Sequence, residues 1–198
     1  MIDLTKFSSP TDPREYLRTP FRCSEGIAAS NGHILVCVVD DGGDHPARPK
    51  TMNEVVTKFR MHTGELGRDW FDMRTIALPD RVPCTRCGGR GYEHQEDCDE
   101  CDGEGSFKHG SYWYDCKECG GDGKVDATPG QGEKVRCYRC DGSGEGVQPV
   151  QVGKVKLQRR YLALIADLPG ARIGTAGELD TAVFTFEGGF GAVMPMRA

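Results

Sequence analysis

The chain has 198 residues, 37% of them hydrophobic and 28% charged, with a formal net charge of -5. This is the balance of a soluble globular protein with room for one or two domains, and no apolar run approaches the length of a membrane-spanning helix. The opening residues, MIDLTKFSSPTDPREY, are polar and hold no signal-peptide core, so a reducing, cytoplasmic setting is expected.

In chain order, IAASNGHILVCVV predicts two β-strands joined at Asn31-Gly32, a strong short-range hairpin signal. Cys23 and Cys37 fall in strand-like segments and read as small buried hydrophobes. The stretch DDGGDHPARP reads as a surface loop. In TMNEVVTKFRMH, Met52, Val55, Val56 and Phe59 recur at helical spacing and predict a short amphipathic helix. After a cysteine- and glycine-rich middle, VQPVQVGKVKL alternates as a strand. RRYLALIADL then places Tyr161, Leu162, Leu164, Ile165 and Leu168 on one helical face, ended by Pro169-Gly170. Two last strands, AVFTFE and FGAVMPM, meet across Gly188-Gly189. The flanks thus form one body of strands and helices, interrupted by the middle.

That middle writes C-x-x-C-x-G-x-G four times: CTRCGGRG from Cys84, CDECDGEG from Cys98, CKECGGDG from Cys116 and CYRCDGSG from Cys137. Two thiolates two residues apart close on one metal ion, and two such pairs complete the tetrahedral sulfur shell that zinc prefers. Four pairs predict two Zn2+ ions, and the glycines supply the positive φ that a knuckle turn needs. Single redox C-x-x-C motifs and secreted disulfide frameworks fit this array less well. Spacing alone permits several pairings. Residues 84–144 carry eight Lys/Arg against thirteen Asp/Glu, a poor match to phosphate. Their aromatics, Phe107, Tyr112, Trp113 and Tyr114, either pack the hairpin between the second and third pairs or face a protein partner. No phosphate loop, nucleophile elbow or His-Glu-x-x-His occurs, and closed thiolate shells leave no position for activated water, so no enzyme is expected.

The four repeats resemble the cysteine-rich zinc domain of DnaJ-type chaperones. That resemblance implies that the first pair joins the fourth and the second the third: Cys84, Cys87, Cys137 and Cys140 at one site, Cys98, Cys101, Cys116 and Cys119 at the other. It also implies an elongated two-zinc finger of short β-hairpins. The family's His-Pro-Asp turn is absent; His45-Pro46-Ala47 lacks the Asp and any surrounding helical hairpin.

The flanks, residues 12–60 and 150–198, resemble the bacterial DNA polymerase sliding clamp. DPREYLRTPFRCSEG…IAASNGHILVCV is similar to the clamp's second domain, where a helix with a Tyr-Leu pair precedes a Gly-His turn. YLALIADLPGARIG…AVFTFEGGFGAVMPMRA is similar to the end of its third, which closes on Met-Pro-Met-Arg. Asn31 and Ile34 depart from that family's Asp and Arg. In clamps these two segments line a cleft for short peptides of replication proteins. The resemblance implies a partner-binding set of Gly32, His33, Leu35, Val193, Met194, Pro195, Met196 and Arg197. It does not say whether both halves sit on one domain or meet across a homo-oligomer. The expectation is an α+β protein, with a clamp-like body in residues 1–83 and 145–198 and the finger in 84–144. Its expected role is that of a non-enzymatic adaptor for protein or peptide partners. A holdase acting through the finger, and more weakly a nucleic-acid-binding zinc protein using Lys154, Lys156, Arg159 and Arg160, stay open.

Overall fold

The structure is a computed structural model and describes residues 2–39, 43–47, 50–64 and 67–197. In chain order it contains β1 (Phe21–Cys23), β2 (Gly26–Ser30), β3 (Ile34–Val38), α1 (Lys50–His62) and β4 (Asp69–Asp72). The middle holds β5 (Tyr92–Asp97), β6 (Ser106–His109), β7 (Tyr112–Asp115), β8 (Lys124–Asp126) and β9 (Glu133–Arg136). There follow β10 (Pro149–Val152), β11 (Val155–Gln158), α2 (Arg159–Ala166), β12 (Arg172–Thr175), β13 (Ala182–Phe186) and β14 (Gly189–Val193). Antiparallel sheets with two helices make an α+β arrangement. The chain divides into two units, Met1–Asp80 with Val147–Ala198, and Arg81–Gly146.

The first unit is built on a seven-stranded sheet in the order β1-β2-β3-β14-β13-β12-β4, with every pairing antiparallel. Its centre joins the two flanks, β3 to β14, with Leu35 opposite Ala192 and Cys37 opposite Phe190. Successive strand residues point to opposite faces, so the unbroken apolar run of β3 feeds both. Ile34 and Val36 enter the larger core with Phe184, Leu157, Leu162 and Ile165, beneath α2 and the β10–β11 hairpin. Leu35 and Cys37 enter a smaller core with Phe21, Phe190 and Val56, beneath α1.

Glycines on β14 make this centre possible. Phe184 and Phe186 on β13 lie directly opposite Gly191 and Gly189, and their rings cover the backbone where those residues have no side chain. A Cβ on Gly191 would overlap the Phe184 ring and the Leu35 carbonyl.

Several expectations are corrected. VQPVQVGKVKL is not one strand but a hairpin, β10 and β11 turning at Gly153 (φ 56), because glycine breaks the alternation there. The last strand stops at Val193, where the chain leaves the ladder before Met194. Glu15–Leu17 is a single 3-10 turn rather than a helix. The strands β1, β4 and β12 went unread, being three or four residues long and without clean alternation. In the loop read over 40–49, residues 40–42, 48 and 49 lie outside the described residues; Ala47 bridges to Arg22 of β1.

The second unit contains a three-stranded sheet, β8-β5-β9, and the β6–β7 hairpin. The four aromatics do not pack a core. Phe107 lies opposite Tyr114 on the hairpin and Tyr112, Trp113 and Tyr114 are exposed, at 69%, 62% and 55%.

Gly191→Ala is expected to destabilise the first unit by at least ~2 kcal/mol, since neither the ladder nor the buried Phe184 ring can yield a methyl's space. Denaturant unfolding followed by tryptophan fluorescence measures it; an unchanged midpoint would contradict the packing described.

Candidate functional site

The eight motif cysteines gather into two groups, Cys84, Cys87, Cys137 and Cys140, and Cys98, Cys101, Cys116 and Cys119; within each group the sulfurs all lie within 4.8 Å of one another. Local backbone geometry explains why first joins fourth and second joins third. In each repeat the final glycine donates its N–H to the second cysteine: Gly91 to Cys87 Sγ at 3.2 Å, Gly105 to Cys101 at 3.2 Å, Gly123 to Cys119 at 3.2 Å and Gly144 to Cys140 at 3.3 Å. The same glycine's carbonyl accepts from the first cysteine of the partner repeat. Cys84 N–H reaches Gly144 O at 2.9 Å, Cys137 reaches Gly91 at 3.0 Å, Cys98 reaches Gly123 at 3.0 Å and Cys116 reaches Gly105 at 2.8 Å. A Cβ on any of the four would overlap the partner repeat's backbone carbonyl. Two knuckles therefore dock glycine to glycine, and the sulfurs meet as a result. The residue after each second cysteine is left-handed, filled by Gly88, Asp102, Gly120 and Asp141; Asp is among the few side chains that tolerate that region.

The donor sets fit a metal ion. Sulfur separations of 3.8 Å recur at Cys87–Cys140, Cys98–Cys116 and Cys101–Cys119. A tetrahedron with metal–sulfur bonds of about 2.3 Å requires about the same edge, roughly 3.8 Å. Charge points the same way. Burial opposes ionisation of Cys87 and Cys119, yet the Gly91 and Gly123 N–H groups and neighbouring thiols bring each down to about 7. Burial pushes Cys98 and Cys137 up to about 12. Four crowded thiols cannot all ionise unless a cation compensates them, and a dication coordinated by all four does so. Each group can hold one such ion.

The first unit carries an apolar groove of about 580 Å³. Its floor starts at the turn before β3. Asn31 Oδ1 accepts the N–H groups of His33 at 3.0 Å and Ile34 at 3.1 Å, while Gly32 takes φ 88. The turn thereby presents His33 outward, its ring stacked on Tyr161 at 6.1 Å. Met194 N–H donates to His33 O at 2.8 Å, and two residues on Met196 N–H donates to Lys156 O at 2.8 Å. The closing segment is thus pinned beside the turn on one unit.

Of the resemblance-implied residues, Gly32, His33, Leu35 and Met194 line this groove. A second, of about 530 Å³, is lined by His33, Met194, Pro195, Met196 and Arg197, so His33 and Met194 form the wall common to both. Val193 lines neither; it is fully buried in the larger core because β14 alternation turns it inward. Sequence reasoning missed Leu17 and the α1 wall of Met52, Val55 and Phe59. The signal was present in the helix's apolar stripe, of which Val56 alone is wholly spent on the core while Val55 stays 40% exposed. In the basic cluster, Arg160 lies over the Tyr161 ring at 4.7 Å, Arg159 bonds the Pro79 carbonyl, and Lys154 and Lys156 are exposed.

No protein-family model matches the chain, and no curated protein matches it. Among solved structures the chain is similar to the DNA polymerase III subunit beta from Pseudomonas aeruginosa, with 13% identity and a TM-score of 0.39 over 98% of this chain and 61% of that one. It is also similar to the C. crescentus beta sliding clamp, with 14% identity and a TM-score of 0.36 over 98% of this chain and 62% of that one. The chain therefore spans about three fifths of the length of the clamps it matches. Among the described residues no helix is long and apolar enough to cross a membrane.

Gly123→Ala is expected to empty the Cys98 group and spare the Cys84 group, because its methyl would strike the Gly103 carbonyl across the second knuckle pair alone. Elemental analysis should fall from two ions per chain to one; two ions retained would contradict the docking described.

Proposed function

We propose that the protein is a zinc-stabilised adaptor whose body binds short apolar peptide segments, the adjoining grooves at His33 and Met194 being the binding site. The observation that carries this is the Met194-to-His33 backbone bond. It unites on one unit the Gly-His turn and the Met-Pro-Met-Arg end, the two segments through which the sequence resembles the sliding clamp's peptide cleft. The chemistry suits the role. Methionines at the shared wall and on α1 adapt their shape to varied apolar side chains, and Met194 stays 44% exposed. In this reading each cysteine group holds Zn2+, supported by closed four-sulfur shells and an edge length matching zinc–thiolate bonds. The ions supply folding energy to a glycine-rich segment that has little apolar core of its own. Partners drawn from replication proteins follow from the clamp resemblance, and the role requires no catalysis.

One observation favours a second reading for the finger. The β6–β7 hairpin exposes Phe107, Tyr112, Trp113 and Tyr114, apolar surface of the kind that contacts unfolded clients. Suppression of a denatured client's aggregation by the wild type, lost on truncating Trp113 and Tyr114, would support a holdase; no suppression would remove it.

For the leading reading, a fluorescent clamp-interacting peptide, Gln followed by spaced Leu and Phe, should bind with a Kd on the order of micromolar. The contacts are apolar, so binding should change little with salt. Replacing Met194 and Met196 by Ala should weaken it by roughly 1–3 kcal/mol while metal content holds. Absence of saturable binding, or indifference to the double substitution, would refute the proposal.

A further inference from the structure

We propose that the β6–β7 hairpin of the second unit is a docking surface for a Lys/Arg-rich segment of a protein partner. The hairpin pairs Phe107 with Tyr114 and His109 with Tyr112 on one face, and Lys108 with Trp113 on the other. All six are exposed, so neither face is spent on a core. Aromatics concentrated in water on one short hairpin mark an interaction surface, and aromatic rings attract cations as well as apolar groups.

Charge decides which occupant fits. Residues 84–97 and 124–144 carry six Lys/Arg and six Asp/Glu, a balance of zero. There the charges answer one another: Arg86 pairs with Glu93 and Asp126, Lys124 with Asp97 and Glu133, and Arg136 with Asp141. Residues 98–123, which hold the hairpin, carry seven Asp/Glu against two Lys, so the whole acidic excess between Cys84 and Gly144 gathers there. All seven carboxylates are exposed, and among the described residues none of them takes part in an ion pair. A filled Cys98 group, four thiolates around one dication, would add about two further negative charges.

The aromatics show the same division. Tyr92 and Tyr138 each have a cation of the chain over the ring, Lys134 at 3.6 Å and Arg86 at 4.7 Å, and Trp113 has Lys108 at 5.8 Å. Among the described residues Phe107, Tyr112 and Tyr114 have none. Beside Phe107 and Tyr114 lies an open hollow of about 730 Å³, which Glu100, Asp115 and Glu118 also line, against one cation, Lys117. A guanidinium or ammonium entering it meets aromatic rings and carboxylates together, while its alkyl stem covers apolar ring surface. Unanswered carboxylates repel phosphate and give a neutral apolar segment nothing to pair with them, so a cationic segment is the occupant that both features suit.

The test uses the full chain, metal-loaded, with a dye-labelled peptide of alternating Arg and Ser and a neutral peptide in which Leu replaces each Arg. The Arg peptide should bind with a Kd on the order of 10 micromolar at low salt and weaken about tenfold as salt rises to about 0.5 M. Amide NMR shifts in the wild type should fall within residues 98–123. Phe107→Ala with Tyr114→Ala, and separately Glu100→Gln with Glu118→Gln, should each weaken binding about fivefold with metal content unchanged. Equal binding of the neutral peptide would mark a surface for apolar clients and overturn the proposal. Absence of saturable binding, indifference to salt, or shifts confined to the first unit would overturn it as well, and these wild-type results need no variant to fold.

Discussion

The pairing of β3 with β14 is the contact on which the rest depends. It joins segments from opposite ends of the chain, sets the centre of the seven-stranded sheet, divides the apolar run of β3 between two cores, and fixes His33 beside Met194. Such a pairing carries the entropy cost of closing everything between, the finger included. The finger's own construction shortens that loop. Its first and fourth repeats dock at the point of entry and exit, where Cys84 bonds Gly144 and Pro83 bridges Glu145, so a filled Cys84 group would hold the two ends of the insert together. Metal binding there would then be linked to sheet closure through chain entropy.

What could be read in advance followed the range of the forces involved. The hairpin at Asn31-Gly32, both helices and the cysteine-glycine repeats are set by neighbours within a few residues, and all were legible. The docking of first repeat to fourth rests on glycines more than fifty residues apart meeting backbone to backbone, which no local pattern encodes; only family resemblance pointed to it. The short strands β4 and β12 are set by pairing, β12 with β13 on one side and with β4 on the other, where Trp70 lies over Gly174, and neither alternates by itself. Of the residues that line the groove, the resemblance named Gly32, His33, Leu35 and Met194. The α1 wall was not named, since an apolar stripe reads equally as core, and Val193 was misplaced because ladder register decides which way a terminal strand residue points.

The two units divide the chemistry. The finger carries an excess of acidic residues to which eight metal-bound thiolates would add further charge, and it offers aromatics rather than a cationic path, so phosphate binding has little to rest on. The body offers methionines, leucines and one stacked histidine in a concave site with few charges at its walls. The proposed apolar recognition by the body fits its groove, and the two four-cysteine groups of the second unit fit metal ions.

The central claim is that the His33–Met194 wall receives a peptide, and the most direct measurement is methyl NMR on protein labelled at its methionines. Met52 and Met194 line the groove, Met73 is buried in the core and Met61 is exposed on α1 away from the groove's lining. Addition of the clamp-interacting peptide should shift the Met52 and Met194 methyls together, saturably, and leave Met61 and Met73 in place. Shifts at Met61 or Met73 without Met194, or none at all, would contradict the account.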